Sequence, residues 1–404
     1  MKILQINSCI NSGSTGRIAE EIASVAAAKG FVCYGGYGAI ERESKMNTIR
    51  IGSNLNIFEH GIESFLFDNH GFASRIATRK FIKQLNEIKP DIIHLHNIHG
   101  YYIHVGILFE YLKKSNIPVV WTFHDCWPMT GHCSYFDRYN CRKWETQCYK
   151  CPNFKGYPKS LLFDFSTRNF KRKKQTFTGL PNITIVTPSN WLADIVHKSF
   201  LKDYPVKVIN NGVDIRVFRP ITDANIFQKY NINLNKKLIL GVASIWDKRK
   251  GLDDFILLSK KKSIDIQIIL VGLNNEQMRA LPDNVIGIPR TESVKELAEL
   301  YSFAHVFVNP TYIDNFPTTN IEALACGTPV VTYKTGGSPE AIDLETGYVV
   351  EQGNIEQLYA AIHEVLGNDK KIYTVKCRER ALKLYNKNLK FQEYINLYNK
   401  LLSL

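Results

Sequence analysis

The sequence predicts an α/β protein of two doubly wound domains, and three observations lead there. Short β-branched runs alternate with helical stretches, glycines such as Gly30 and Gly327 stop helices, and the whole pattern restarts once near the middle. Residues 2–6 (KILQI) read as a first strand, and residues 16–29 as a helix ended by Gly30. Further strands are expected at 31–34, 91–95, 118–123 and 183–187, then at 237–242, 266–271, 285–288, 305–309 and 330–333. From about residue 354 the chain reads as helix alone. The join falls in DYPVKVINNGVDIRVFRP, residues 203–220, where turn residues stand between prolines. The expected domains are residues 1–204 and 205–404, facing across a cleft, with a last helix at about 388–404 returning to the first domain.

Size and composition agree with this. At 404 residues, two or three domains of about 150 residues each are expected. An apolar share of 45% with 22% charged residues is that of an ordinary globular chain. No run approaches the ~20 apolar residues of a membrane span. Gln5, Asn7 and Ser8 interrupt the apolar start, which reads as a buried strand rather than a signal peptide, so a cytoplasmic protein is expected.

The net charge of +13, from 51 basic and 38 acidic residues, favours an anionic partner. The densest run is Lys171, Arg172, Lys173 and Lys174, flanked by Leu161, Leu162, Phe163, Phe165, Phe170 and Phe177. It reads as a helix packed on the core with a solvated basic face; a membrane-surface segment is the other reading.

The segment 314–331, DNFPTTNIEALACGTPVV, carries the most chemistry. It runs from a strand through a loop into a short helix, a glycine stop and a second strand. In parallel sheets, ligands sit where strands end and helices begin, and a helix start suits a phosphate. Asp314 and Glu322 flank that start. Thr319 to Glu322 also fits a capping box, so Glu322 either reaches back to its own helix or serves a ligand.

Taken in order, the motifs resemble those of the retaining nucleotide-sugar glycosyltransferases of the GT4 family (glycosyltransferase group 1), which have the GT-B fold and include bacterial surface-polysaccharide enzymes. They are NSGSTGR at 11–17, TFHD at 122–125, TPSNW at 187–191, NNGVD at 210–214 with Phe218 and Pro220, Lys250-Gly251, the Asp314/Glu322 segment, and TGGSPEAI at 335–342. Two positions depart from the family: Asp314 stands where Glu is usual, and Ser244 where an Arg is usual, with Arg249 placed to supply the second cation.

The resemblance implies a UDP- or GDP-sugar donor and a saccharide acceptor, lipid-linked by analogy to relatives, with peripheral contact on the inner membrane face. It implies that Arg249 and Lys250 hold the diphosphate, a fork and a point charge. Glu322 would take the ribose hydroxyls and Asp314 the sugar hydroxyls. The N–H groups of Phe316, Thr318, Thr319 and Asn320 would meet the sugar and phosphate; Pro317 has none to offer. His124 would lie over the donor sugar with Asp125 alongside, and His96 on the acceptor side. Gly13 and Gly16 would let backbone approach the donor. Front-face attack would let the leaving phosphate take the acceptor proton, without a paired-carboxylate mechanism or a catalytic metal.

Five cysteines fall between 126 and 151, in an insertion spanning 126–152. Cys133, Cys141, Cys148 and Cys151 end in a CxxC, which suggests a structural tetrahedral zinc; small buried thiols are the alternative. Two competing functions remain: a GT-B sugar-nucleotide epimerase, and a basic zinc-bearing nucleic-acid-binding protein. The latter lacks a recognised nucleic-acid module.

Overall fold

A computed structural model describes residues 1–222, 226–261 and 265–403. The chain divides into two compact units, Met1–Ile209 with Phe391–Leu404, and Asn210–Lys390.

The first unit holds seven strands: β1 (Lys2–Ile10), β2 (Val32–Glu41), β3 (Asn47–Arg50), β4 (Ile92–Leu95), β5 (Val119–Thr122), β6 (Ile183–Thr187) and β7 (Val206–Val208). They pair in parallel in the order β3-β2-β1-β4-β5-β6-β7. Central strands of such a sheet are covered on both faces, which is why β4 (IIHL), β5 (VVWT) and β6 (ITIVT) are rich in apolar and β-branched residues and are wholly buried. The short edge strands β3 and β7 lack such runs, and the sequence reading passed over both. Because β7 pairs with β6, the first unit extends to Ile209 rather than residue 204.

One core lies on each face of this sheet. The last helix, Lys387–Leu402, supplies Phe391, Tyr394, Ile395, Leu397 and Tyr398 to one of them; Leu404, the end of the expected helix, lies outside the described residues. The cysteine-rich stretch carries only short 3-10 turns, at Trp127–Met129, Asp137–Tyr139 and Lys143–Glu145.

The second unit holds β8 (Lys237–Val242), β9 (Ile266–Val271), β10 (Val285–Ile288), β11 (Val306–Asn309), β12 (Val330–Tyr333) and β13 (Gly347–Val350). The order is β10-β9-β8-β11-β12-β13, again all parallel. The direction of winding reverses between β1 and β4 in the first sheet and between β8 and β11 in the second. In doubly wound sheets the carboxyl ends of those strands are where ligands bind. His96 follows β4, and the loops bearing Lys250 and Asp314 follow β8 and β11.

The basic helix at Ser166–Phe177 corrects one expectation. Lys173 does not belong to a solvated face: it is 1% exposed. Its ammonium donates to the carbonyls of Trp127 (2.7 Å) and Thr130 (3.0 Å) and lies 3.5 Å from the centre of the Trp127 ring. Burial pushes it down to about 7 against the pull of Asp68.

Candidate active site

In the second unit, the loop after β8 runs to Gly251, which begins the helix Leu252–Lys260 with φ +74°. A Cβ there would lie 2.3 Å from the Pro310 carbonyl oxygen, so only glycine lets this loop lie against the one after β11. Two further bonds tie the loops, because the Arg249 carbonyl accepts from the Tyr312 N–H (2.8 Å) and the Thr311 hydroxyl (3.3 Å). The result brings Lys250 Nζ to 2.6 Å from Asp314 Oδ2, with both side chains about one-fifth exposed. Arg249 Nε stands 3.6 Å from Asp247 Oδ2.

The helix Thr318–Ala325 begins at Pro317, and no side chain caps it. This corrects the capping-box expectation: Thr319 is not the cap, and Glu322 does not reach back to it. Pro317 is the residue at the cap position and has no side-chain acceptor to offer. Glu322 Oε2 instead accepts from the Tyr301 hydroxyl at 3.1 Å. An uncapped helix start keeps its partial positive charge available to an anion.

Asn320 requires a second correction. Its backbone N–H is directed to the Pro317 carbonyl (3.2 Å) rather than held for a ligand. Its buried side chain accepts from Asn309 (2.8 Å) and donates to the Ser338 hydroxyl (3.0 Å), fastening the helix start to the TGGSPEAI loop. Phe316 is buried, and its carbonyl accepts from Asn211 (3.2 Å).

In the first unit, the helix Gly13–Ala27 begins three residues earlier than expected. Gly13 is its first residue, with φ +64° and open space where a Cβ would be. Gly16 is no loop glycine. It lies inside the helix, where a Cβ would come within 3.1 Å of Cys9 Sγ, so its bareness serves helix–strand packing.

His96 and His124 form a stacked pair, with His96 Nδ1 and His124 Nε2 3.0 Å apart. His96 Nε2 faces Gln5 Oε1 at 2.8 Å, and the Gln5 amide nitrogen is held by the Ala19 carbonyl. The network therefore assigns the protons: His96 donates to Gln5, His124 donates to His96, and His124 Nδ1 keeps its lone pair. Burial pushes His124 down to about 4, which makes it a neutral hydrogen-bonding group near pH 7.

Asp125 is turned inward. It accepts from the Trp127 N–H (2.9 Å) and lies 2.9 Å from His99 Nε2, off the line of a good hydrogen bond. Burial favours its neutral form, but His99 and the Trp127 N–H hold it below the usual carboxylate range. His94 bonds Tyr398 (2.6 Å) and Thr122 (2.8 Å) and is part of the scaffold.

The zinc expectation does not fit the thiols as arranged. Among the described residues, no group of three or more His, Cys, Asp or Glu side chains is placed to hold a metal ion. Cys133 donates to Cys151, which holds the Cys151 thiol down to about 7, and Cys148 accepts the Gly131 N–H at 3.2 Å; Cys141 packs beside the core. Polar anchors hold the loop instead: Lys173, and an Asp68–His132 contact of 2.6 Å. No metal step is derived.

Sequence reasoning missed Tyr301 and the pairings that Gln5 and His99 make with His96 and Asp125. Each residue acts through a partner distant in sequence, so no local spacing marks it.

Two parallel α/β units, the second with a lysine–carboxylate pair in the loops that lead to an uncapped helix start, agree with the GT-B architecture. The profile of the glycosyl transferases group 1 matches residues 222–384, and that of glycosyltransferase family 4 matches residues 19–217. The chain belongs to the GT4 family of glycosyltransferases and is an enzyme of that class. It is 23% identical to a protein named for colanic acid biosynthesis, the glycosyl transferase WcaC of Escherichia coli (strain K12), over 99% of this chain and 100% of that one. The fold is like that of sucrose-phosphate synthase from Thermosynechococcus elongatus, with TM-score 0.72, 19% identity and 100% and 99% of the two chains covered. It is also like Anabaena Alr3699/HepE in complex with UDP, with TM-score 0.68, 16% identity and 99% and 100% covered.

Proposed function

We propose that the protein transfers a sugar, with retention, from a UDP- or GDP-sugar to a lipid-linked saccharide in the synthesis of a surface polysaccharide. The observation that carries this is the Lys250–Asp314 pair beside the uncapped start of Thr318–Ala325, with Glu322 one turn inside that helix. UDP is favoured because Alr3699/HepE is described in complex with UDP and with UDP-glucose. The polysaccharide setting is supported by the name of the E. coli relative.

In this reading Lys250 and Arg249 meet the charge that grows on the diphosphate, together with the Thr318 and Thr319 N–H groups. Glu322 takes the ribose hydroxyls, and Asp314 orients Lys250 and accepts from a sugar hydroxyl. The bond between the anomeric carbon and the phosphate oxygen breaks, and the acceptor oxygen bonds that carbon from the same face. The acceptor proton passes to the departing phosphate oxygen. His124, neutral, lies over the donor sugar.

A melting-temperature screen with UDP, GDP and ADP tests the donor reading. UDP or GDP should raise the transition, and a flat response to all three would sink it. Transfer from the stabilising nucleotide's sugars then identifies the donor.

A further inference from the structure

The positive charge is concentrated in one unit. Residues 1–209 with 391–404 carry 28 Lys and Arg against 17 Asp and Glu, whereas residues 210–390 carry 23 against 21. Within the first unit, residues 150–174 hold eight basic residues and a single acid, Asp164. Lys150, Lys155, Lys159, Arg168, Lys171 and Lys174 are all exposed.

Large apolar side chains stand bare in the same region. The loop after Ser160 exposes Leu161, Leu162 and Phe163, with Leu162 59% accessible. The helix Asn54–Phe67 exposes Leu55, Phe58 and Ile62, spaced by three and four residues on one face, and Phe67 at its end; Phe58 is 66% accessible. The two segments are joined, since the Leu161 N–H donates to the Phe65 carbonyl (2.8 Å) and Arg168 donates to the Phe67 carbonyl (3.0 Å). Lys159 lies 5.6 Å from the centre of the Phe65 ring. Glu59 and Glu63 share the helix, but each accepts from an amide, Asn56 and Asn69. Single exposed apolar residues are ordinary; three along one helix face and three in the loop bonded to that helix, with cations beside them, are not.

We propose that this patch docks the first unit on a membrane surface rich in anionic lipid. Apolar side chains set among exposed cations match the boundary between acyl chains and charged headgroups, which takes both at once. A protein partner would have to supply both an apolar face and a matching excess of acid. The proposal gives the lipid-linked acceptor reading a place on the molecule and rests on that reading only for its purpose.

The test is flotation of the full chain with vesicles, without donor or acceptor. Vesicles of phosphatidylcholine with about 30% phosphatidylglycerol should carry the protein, those of phosphatidylcholine alone far less, and about 0.5 M salt should weaken binding. The double variant Phe58→Ser, Leu162→Ser changes only exposed positions and should keep the wild-type melting temperature and UDP response. Its bound fraction should fall at least about tenfold. Failure of the wild type to float with anionic vesicles, or undiminished binding by the variant, would overturn the proposal. So would a wild-type dimer that the variant dissociates while vesicles bind neither form. Vesicle binding without any nucleotide response would support the patch and defeat the donor reading, so the two fail separately.

Discussion

Mild acid should unfold the first unit well before the second. His60, His70, His94 and His96 are 1%, 4%, 0% and 1% exposed. Burial pushes His60 and His94 down to about 3, and His70 and His96 well below the usual imidazole range. In the unfolded chain each would titrate near 6.5. Below that pH the unfolded form binds protons that the folded form refuses, so stability is full above about 6.5 and is lost as the pH falls. At pH 5.5 the loss is about 1.4 kcal/mol for each histidine, or about 6 kcal/mol for the four. A domain is stable by only about 5–15 kcal/mol. At roughly 2–4 °C per kcal/mol for a unit of this size, these four alone should lower its transition by about 12–24 °C between pH 7.5 and 5.5. Among the described residues, the second unit has one depressed histidine, His305, and should move far less. Calorimetry reads both transitions. Tryptophan fluorescence reports mainly the first, since Trp121, Trp127, Trp144 and Trp191 lie there and only Trp246 in the second. A first-unit shift below about 4 °C would refute the reasoning. His94→Gln should lower stability at pH 7.5 yet flatten the pH slope by about a sixth, having removed one of six groups, since His104 and His124 of the same unit are also pushed down to about 4.

Lys250→Ala should lower kcat/KM about a hundredfold while leaving the fold intact, and Lys250→Arg should recover part of it; wild-type turnover in the alanine variant would remove Lys250 from the site. Glu322→Gln should weaken UDP binding by about 10- to 100-fold with little change in melting, because Tyr301 still has an oxygen to donate to; unchanged nucleotide affinity by calorimetric titration would return Glu322 to a structural role. Gly251→Ala should destabilise the second unit by about 1–3 kcal/mol through its left-handed backbone and the crowding of Pro310, read from denaturant melts. Elemental analysis of dialysed protein should find zinc below about a tenth of an equivalent; a full equivalent would mean that Cys133, Cys141, Cys148 and Cys151 close around metal after all.

Much of the fold was legible because parallel strands covered on both faces leave apolar runs such as VVWT and VFVN, which alternate plainly with helices. The strands that escaped, β3, β7 and β13, lie at the sheet edges or are short, where one side faces solvent and the run is diluted. The lysine at 250 and the carboxylate at 314 were visible as residues at strand ends, but their 2.6 Å contact depends on Gly251, whose need for a bare Cα comes from a loop 59 positions away. The capping box was a sound local pattern overruled by Pro317. Lys173 shows the same limit: four adjacent cations look alike in sequence, and only the position of Trp127 decides which one is buried.

The last helix has a consequence for how the protein is made. Residues 391–398 complete a core whose remaining parts come from strands and helices within the first 209 residues. A ribosome adds them only after the whole second unit has been synthesised. The sheet that emerges first therefore waits, with Ile3, Ile22, Phe31 and Val120 incompletely covered, while the unit that emerges later already has all its own residues. Birth order and order of completion are reversed in this chain. During synthesis the amino-terminal half is the part with apolar surface to shield, and a stop codon before Phe391 would harm the end of the molecule made first.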